Sequence, residues 1–230
     1  MDIRINKFIG QFGFTSRREA DKLILDGRVT VNNKIIQPGY KVQENDIVKV
    51  DGEKIKSNLK KNVYLAFNKP KGIVCTTDTE KEENNIIDFI NFNKRIFPIG
   101  RLDKLSEGLI LLTNDGDIVN KILRSRNRNE KEYLVTVNKK ITKSILKKLE
   151  NGVPILNTTT RKCETTYIND FQFKIVLTQG LNRQIRRMCE YFDYRVKKLE
   201  RIRIINISLD IPRGKWRYLT VDEVKFLKNL

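Results

Sequence analysis

Gly100-Arg101-Leu102-Asp103-Lys104-Leu105-Ser106-Glu107-Gly108-Leu109-Ile110-Leu111-Leu112-Thr113-Asn114-Asp115-Gly116 is the stretch on which the reading of this chain turns. A strand over residues 97–99 stops at Gly100. An irregular segment then carries Arg101, Asp103 and Glu107 between two glycines, and an apolar strand resumes at 109–113. Glycines at both ends let the backbone turn tightly and hold an acidic side chain at the edge of a cleft. Composition alone makes an Asp in such a loop a solvated turn residue more often than a catalyst.

Outward from this stretch the elements are mixed. Strands are read at 64–68 and 133–137, and a helix at 116–124. Thr142 caps a helix running to about residue 150, strands follow near 156–167 and 171–178, and then come a helix at 182–192 and strands at 195–208. Thr220-Val221-Asp222-Glu223 is a capping box that opens a last helix. Strands and helices do not alternate strictly, so a doubly wound parallel sheet is disfavoured. The expected class is α+β, with a mainly antiparallel mixed sheet flanked by helices over residues 63–230.

The first 57 residues follow a different logic. Ile5, Phe8, Ile9 and Phe12 make a short apolar stripe ended by Gly13. Ser16-Arg17-Arg18-Glu19 is a capping box for a second helix whose buried face is Ala20, Leu23 and Ile24, with Asp26-Gly27 as its stop. Short β runs punctuated by Asn32-Asn33, Pro38-Gly39 and Asp51-Gly52 come next. Residues 1–57 therefore read as a small helix-turn-helix plus β module, and the polar run 58–62 as a linker. Arg17, Arg18 and Lys22 lie near the N-terminal end of the second helix, where main-chain donors and cations are aimed alike, which suits a phosphate backbone.

Composition narrows the chemistry. The 230 residues contain 46 Lys+Arg, 28 Asp+Glu and no histidine, a formal charge of +18. Absence of histidine excludes His-based triads, His general bases and every zinc site that needs imidazole. Cys75, Cys163 and Cys189 form no Cys-x-x-Cys pair, so a disulfide framework and a zinc knuckle are not expected. No segment approaches the about 18 apolar residues of a membrane span, and the start has no signal-peptide pattern, so a cytoplasmic protein without membrane contact is expected. The charge points to a polyanion, foremost nucleic acid. An AT-rich coding bias is the competing explanation, because only two alanines stand beside many Lys, Asn and Ile. Location favours a binding surface: +12 of the +18 falls after residue 134.

The full string around Asp103 resembles the active-site motif of the pseudouridine synthases, and other landmarks follow in order. Asn68-Lys69-Pro70-Lys71-Gly72 resembles the family's Lys-Pro-x-Gly segment, Lys131-Glu132-Tyr133-Leu134-Val135 the strand bearing its active-site Tyr, and Gly180-Leu181-Asn182-Arg183-Gln184-Ile185-Arg186-Arg187-Met188 the helix supplying its active-site Arg. Leu199-Glu200-Arg201-Ile202-Arg203-Ile204 resembles the last motif. Arg4 to Ile9, Ser16 to Ala20 and Gly27 to Asn32 together resemble the RNA-binding module of small-subunit ribosomal protein S-four. Leu105 departs from the pattern, standing where a polar residue is commoner.

The resemblance implies the ribosomal RNA branch of the family and conversion of uridine to pseudouridine, with no cofactor and no metal. It implies Asp103 as the catalytic carboxylate, Arg186 as the cation that keeps it charged, and Tyr133 as the ring that stacks on the base and assists loss of the carbon-5 proton. Leu199 would close the pocket, with Arg101, Lys69, Arg183 and Arg187 binding substrate. For Lys69 a phosphate contact and a solvated surface position stand equal. In the N-terminal module Arg4, Lys7, Arg17, Arg18 and Lys22 would contact RNA. The basic run Arg183, Arg187, Arg195, Lys197, Lys198, Arg201, Arg203 would add backbone contacts, about half of it on the RNA face by strand alternation. The implied partner is 23S ribosomal RNA, with a tRNA as second target left open, and a monomer is expected. The competing reading is a non-catalytic RNA-binding or ribosome-assembly protein.

Overall fold

The computed structural model describes residues 2–55, 62–124 and 127–230. The expected linker at 58–62 lies, apart from Asn62, outside the described residues. The chain divides into two compact units, Met1–Asn62 and Val63–Leu230.

The first unit runs β1 (Ile3–Arg4), α1 (Ile5–Gln11), α2 (Arg17–Leu25), β2 (Val29–Val31), β3 (Lys34–Ile35), β4 (Lys41–Val42), β5 (Val48–Val50) and β6 (Glu53–Lys54). Ile5 and Ile9 of α1 meet Ala20, Leu23 and Ile24 of α2 over Val29, Val31, Val48 and Val50. Burying each such side chain contributes about 1.5–3 kcal/mol, and this is the unit's core. Only half of the expected capping box at α2 forms. Ser16 accepts from the Glu19 amide at 3.1 Å, while the Glu19 carboxylate turns to Lys22, 3.3 Å away. Arg4, Arg17, Arg18 and Lys22 are exposed, and Lys7 is half-buried.

The second unit opens with β7 (Tyr64–Lys69), α3 (Ile86–Ile90), β8 (Phe97–Ile99), β9 (Glu107–Thr113), α4 (Gly116–Leu123), β10 (Lys131–Val137) and α5 (Lys143–Glu150). It continues with the hairpin β11 (Pro154–Ile155) and β12 (Thr158–Thr159), then β13 (Glu164–Asn169), β14 (Gln172–Leu177), α6 (Gln184–Glu190), β15 (Val196–Ile204), β16 (Ile207–Ser208), β17 (Trp216–Tyr218) and α7 (Val221–Lys228). At α7 the capping box is complete. The class is α+β, as expected. Among the described residues no helix is long and apolar enough to cross a membrane.

The sheet order is β13-β14-β10-β15-β9-β7-β17, with β16 on β15 and β8 on β9. Every pairing within it is antiparallel except β15 with β9. All residues of β7 and β9 are buried, because helices cover both faces: α3 on one side, α4 and α7 on the other. Their near-continuous apolar sequence follows from that double cover. Helices α5 and α6 pack on β10, β14 and β15.

The parallel pairing joins only Glu107 with Glu200 and Gly108 with Arg201. Since β7 occupies the other side of β9, β8 then takes over the side that β15 has left, pairing Ile99 with Leu111. The sheet forks there, and a cleft opens in the fork.

Candidate active site

Gly108 sits at the root of the fork, in a rung that runs Lys69, Gly108, Arg201, Tyr133 across β7, β9, β15 and β10. Directly paired residues in a sheet share a face, so Lys69, Arg201 and Tyr133 project from the same side. Gly108 adopts φ +100°, and a Cβ there would come 2.7 Å from the Arg201 backbone nitrogen. The missing side chain lets the two strands meet and keeps the space between Lys69 and Arg201 open.

Asp103 hangs over this rung at the lip of the cleft. Leu102, buried in the core under α3, plugs the loop into place, and its amide donates to the Cys75 thiol at 3.4 Å. The Ser106 amide closes the turn by donating to the Asp103 carbonyl at 2.9 Å. From the Asn68-Lys69-Pro70-Lys71-Gly72 segment, the Gly72 amide donates to the Lys104 carbonyl at 2.8 Å, so two segments distant in sequence are fastened by their backbones.

The cleft has a volume of about 1170 Å³. Asp103, Tyr133, Arg101 and Arg183 all line it. Asp103 is the only carboxylate among the described lining residues, against seven Lys and Arg side chains, Lys104, Arg124, Lys131 and Arg201 among them; the rest of the lining is apolar or uncharged polar. Glu107, four residues on, is excluded from the cleft by the alternation of β9. It is buried on the opposite face, where Lys198 and Arg213 hold its carboxylate at 2.9 and 3.1 Å.

Arg186 is buried on α6 and lies behind the Asp103 turn. Its Nη2 donates to the Leu105 carbonyl and to Ser106 Oγ, both at 3.3 Å, and its Nη1 donates to the Val196 carbonyl at 3.1 Å. Burial, with Arg183 nearby, pulls its pKa below the usual guanidinium range, and Asp103 opposes that shift. The sequence reading paired Arg186 with the Asp103 carboxylate. The two stand in electrostatic range, but among the described residues the contact runs to the backbone and hydroxyl of the turn rather than to the carboxylate.

Other expected residues fall elsewhere. Lys69 is neither solvated nor at the cleft surface: it is fully buried, and its ammonium donates to the Pro70 carbonyl at 2.9 Å. Burial pushes its pKa down, against the pull of Cys75, Asp103 and Glu107. Leu199 is buried against α6 and does not line the cleft. Arg187 bonds back to Asn182, through the carbonyl at 3.1 Å and the side-chain oxygen at 3.2 Å, and also stands outside the lining. In the basic run, Lys198 is committed to Glu107 and Glu200, Arg203 to Glu130 and Glu132, and Arg201 is buried, which leaves Arg195 and Lys197 toward solvent. Sequence reasoning also passed over Lys131, which lines the cleft two residues before Tyr133; burial, then Arg201, lower its pKa to about 8.

A cationic cleft with a single carboxylate at its lip and a ring beside it suits chemistry on a nucleotide held by its phosphates. Residues 63–191 match the RNA pseudouridylate synthase family and residues 3–48 match the S4 domain. The chain belongs to the RNA pseudouridylate synthase family, whose members are isomerases. It is 55% identical over 224 residues to "Dual-specificity RNA pseudouridine synthase RluF" of Escherichia coli strain K12, covering 96% of this chain and 77% of that protein. To "Ribosomal large subunit pseudouridine synthase B" of Bacillus subtilis strain 168 it is 35% identical, covering 99% of this chain and 96% of that one. A solved structure described as "Crystal structure of pseudouridylate synthase" superposes with a TM-score of 0.72 at 26% identity, over 98% of this chain and 99% of the other.

Proposed function

We propose that this chain converts a uridine of 23S ribosomal RNA to pseudouridine, acting as a cytoplasmic monomer, with tRNA as the class in which a second target would be sought. The observation that carries the reading is the isolation of Asp103: among the described lining residues it is the one carboxylate, fixed by backbone bonds at the lip of a cleft that seven lysines and arginines also line.

Isomerisation detaches uracil from carbon 1′ of the sugar, turns it and reattaches it through carbon 5. The protein has to supply a carboxylate at the sugar and a closed site that keeps the base from escaping. Asp103 is that carboxylate, either attacking carbon 1′ or taking a proton from carbon 2′. Tyr133 stacks on the base and assists departure of the carbon-5 proton. Arg186 holds the turn that aims Asp103 and places a positive charge behind it. The target base must leave its RNA stack, at a cost of a few kcal/mol. Contacts from Arg101 and Arg183 at the cleft, and from Arg4, Lys7, Arg17, Arg18 and Lys22 in the first unit, offset it. Leu199 stays under the site as packing, and Lys69 and Arg187 act by holding the loops around it. A binding protein without chemistry would need neither Asp103 nor Tyr133 in one cleft.

The test uses ribosomal RNA tritiated at carbon 5 of uridine. Wild type releases tritium, and Asp103→Asn, which keeps shape and hydrogen bonding, retains RNA binding while losing release by about 10⁴-fold or more. Equal release by both proteins removes Asp103 from the mechanism. Tight binding without release by wild type selects the assembly-protein reading.

A further inference from the structure

Arg201 is left without a role by everything above, and its surroundings are unusual. It is 3% exposed and yet lines the cleft. Its Nε donates to the Leu109 carbonyl at 2.6 Å, which fixes the plane of the guanidinium. Its Nη2 is buried with no hydrogen-bond partner. No carboxylate pairs with it among the described residues. Glu107, the nearest acid in register, faces the other side of the sheet and already holds two cations. A buried, unpaired cation is costly, so its position points to an anion that is present only at some stage of the reaction.

The place of Arg201 says which anion. It stands directly across from Tyr133 in the antiparallel pairing of β10 with β15, on the same face, so the two flank the space where a stacked base would lie. Phosphates of a bound RNA stay with the chain at the rim, where the exposed Arg101, Lys104 and Arg183 can meet them. The floor sees only the base.

We propose that the Arg201 guanidinium stabilises the uracil anion while the base is detached from the sugar, a catalytic role that rests on the isomerase reading above. When the bond between carbon 1′ and N1 breaks, its electron pair passes to the base, which becomes an anion with charge over N1, O2 and O4. The sugar is taken up by Asp103 at carbon 1′, or gives Asp103 its carbon-2′ proton. Arg201 offers a preoriented N–H to the anion's oxygens as the base turns, and such donors act most strongly where charge develops in a dry site. A pair of electrons from carbon 5 then bonds carbon 1′ as the Asp103 carboxylate leaves it, or as Asp103 returns its proton to carbon 2′, and the charge on the base disappears. The carbon-5 proton then passes to solvent with the help of Tyr133 while N1 takes up a proton from water. Lys131, whose ammonium loses part of its proton affinity to the same guanidinium, adds to the positive floor.

The experiment compares single-turnover consumption of uridine and of 5-fluorouridine in the same RNA, by chromatography of the digested product, for wild type, Arg201→Met and Arg201→Lys. Fluorine stabilises the departing anion by itself, so a missing cation matters less there. Arg201→Met is expected to slow uridine by about 10²-fold and 5-fluorouridine by a clearly smaller factor, and Arg201→Lys is expected to return the ratio of the two toward wild type. A defect that only loosens the fold slows both substrates equally; that result overturns the inference and leaves the reading of Asp103 intact. If wild type consumes neither substrate, the isomerase reading falls and this role falls with it. Should Arg201→Met not fold, Arg201→Gln takes its place, since its neutral amide can still donate to the Leu109 carbonyl.

Discussion

Arg186 Nη2 donates to Ser106 Oγ at 3.3 Å, so the buried cation of α6 grips the turn that presents Asp103 and touches the site through three residues of backbone. Bonded at three points and orphaned at Nε, the guanidinium is held in a position that the turn must match.

Removing the two ends of this contact should therefore have unequal effects. Ser106→Ala deletes one hydrogen bond and leaves the Leu105 carbonyl as an anchor, so single-turnover tritium release should fall by about 2–10-fold. Arg186→Met deletes the anchor and the positive field together and should cost about 10²-fold or more. RNA affinity by filter binding should change little in either variant. A larger loss for Ser106→Ala than for Arg186→Met would mean that the hydroxyl, rather than the cation, organises the turn.

Gly108→Ala tests the root of the fork. Its φ of +100° disfavours any side chain, and the new Cβ would press on the Arg201 backbone, which belongs to a sheet strand and cannot swing away. The expected loss is about 3–4 kcal/mol in urea unfolding, strain and overpacking combined. Gly72 makes the comparison: its φ is +89°, but a Cβ there meets nothing within 4 Å, so Gly72→Ala should cost only about 1–2 kcal/mol. The reverse order would show that β9 and β15 part easily.

How far the site was legible in the sequence can be judged from these residues. Apolar runs and their punctuation located the strand that follows Asp103 and the strand that carries Tyr133, and the capping residues located α2, α5 and α7. Helix α3 and strand β17 were not seen, because five and three residues give too few turns or alternations to show a period. Lys69 was misplaced because a Lys beside Pro reads as surface; only the sheet, by burying all of β7, reveals otherwise. Asp103 and Glu107 are equivalent by composition; the structure separates them by placing Asp103 in the turn at the cleft and Glu107 at the start of β9 on the opposite face. Arg201 carried a signal that was available: a strand that turns Leu199 inward turns the residue two further on the same way. Three-dimensional pairing across β15 was needed to see that Tyr133 lies opposite.

Lys131 should leave a mark on stability against pH. Its folded pKa of about 8 lies below the ordinary lysine value of 10.5 retained on unfolding, so the unfolded chain binds more protons between those values. The cost of burying the ammonium is fully present below pH 8 and is relieved as pH rises from about 8 toward 10.5, so this residue makes stability rise across that window. Other lysines titrate there too, and the difference between wild type and Lys131→Met isolates it. The variant should be more stable at pH 7, by about 2 kcal/mol, with its advantage shrinking as pH rises through the window. An advantage independent of pH would indicate better packing by Met alone.

Arg17 and Arg18 make the last case, because cations at a helix start can serve RNA or merely solubility. Each side chain seated on a phosphate displaces counterions, so the slope of log affinity against log salt should fall by about 0.7–0.9 for every such side chain removed. If both arginines sit on phosphates, the double variant Arg17→Ala/Arg18→Ala lowers the slope by about 1.5 in full-length protein. Lys34 and Lys54, exposed on β3 and β6, carry the same charge in the same unit away from this helix start. Lys34→Ala/Lys54→Ala alters net charge identically, so a slope near wild type in that pair, beside a reduced slope in the arginine pair, assigns the effect to direct engagement of phosphate. Equal reductions in both pairs would instead mean that the first unit draws RNA by its overall charge, with no face of α2 set against the phosphates.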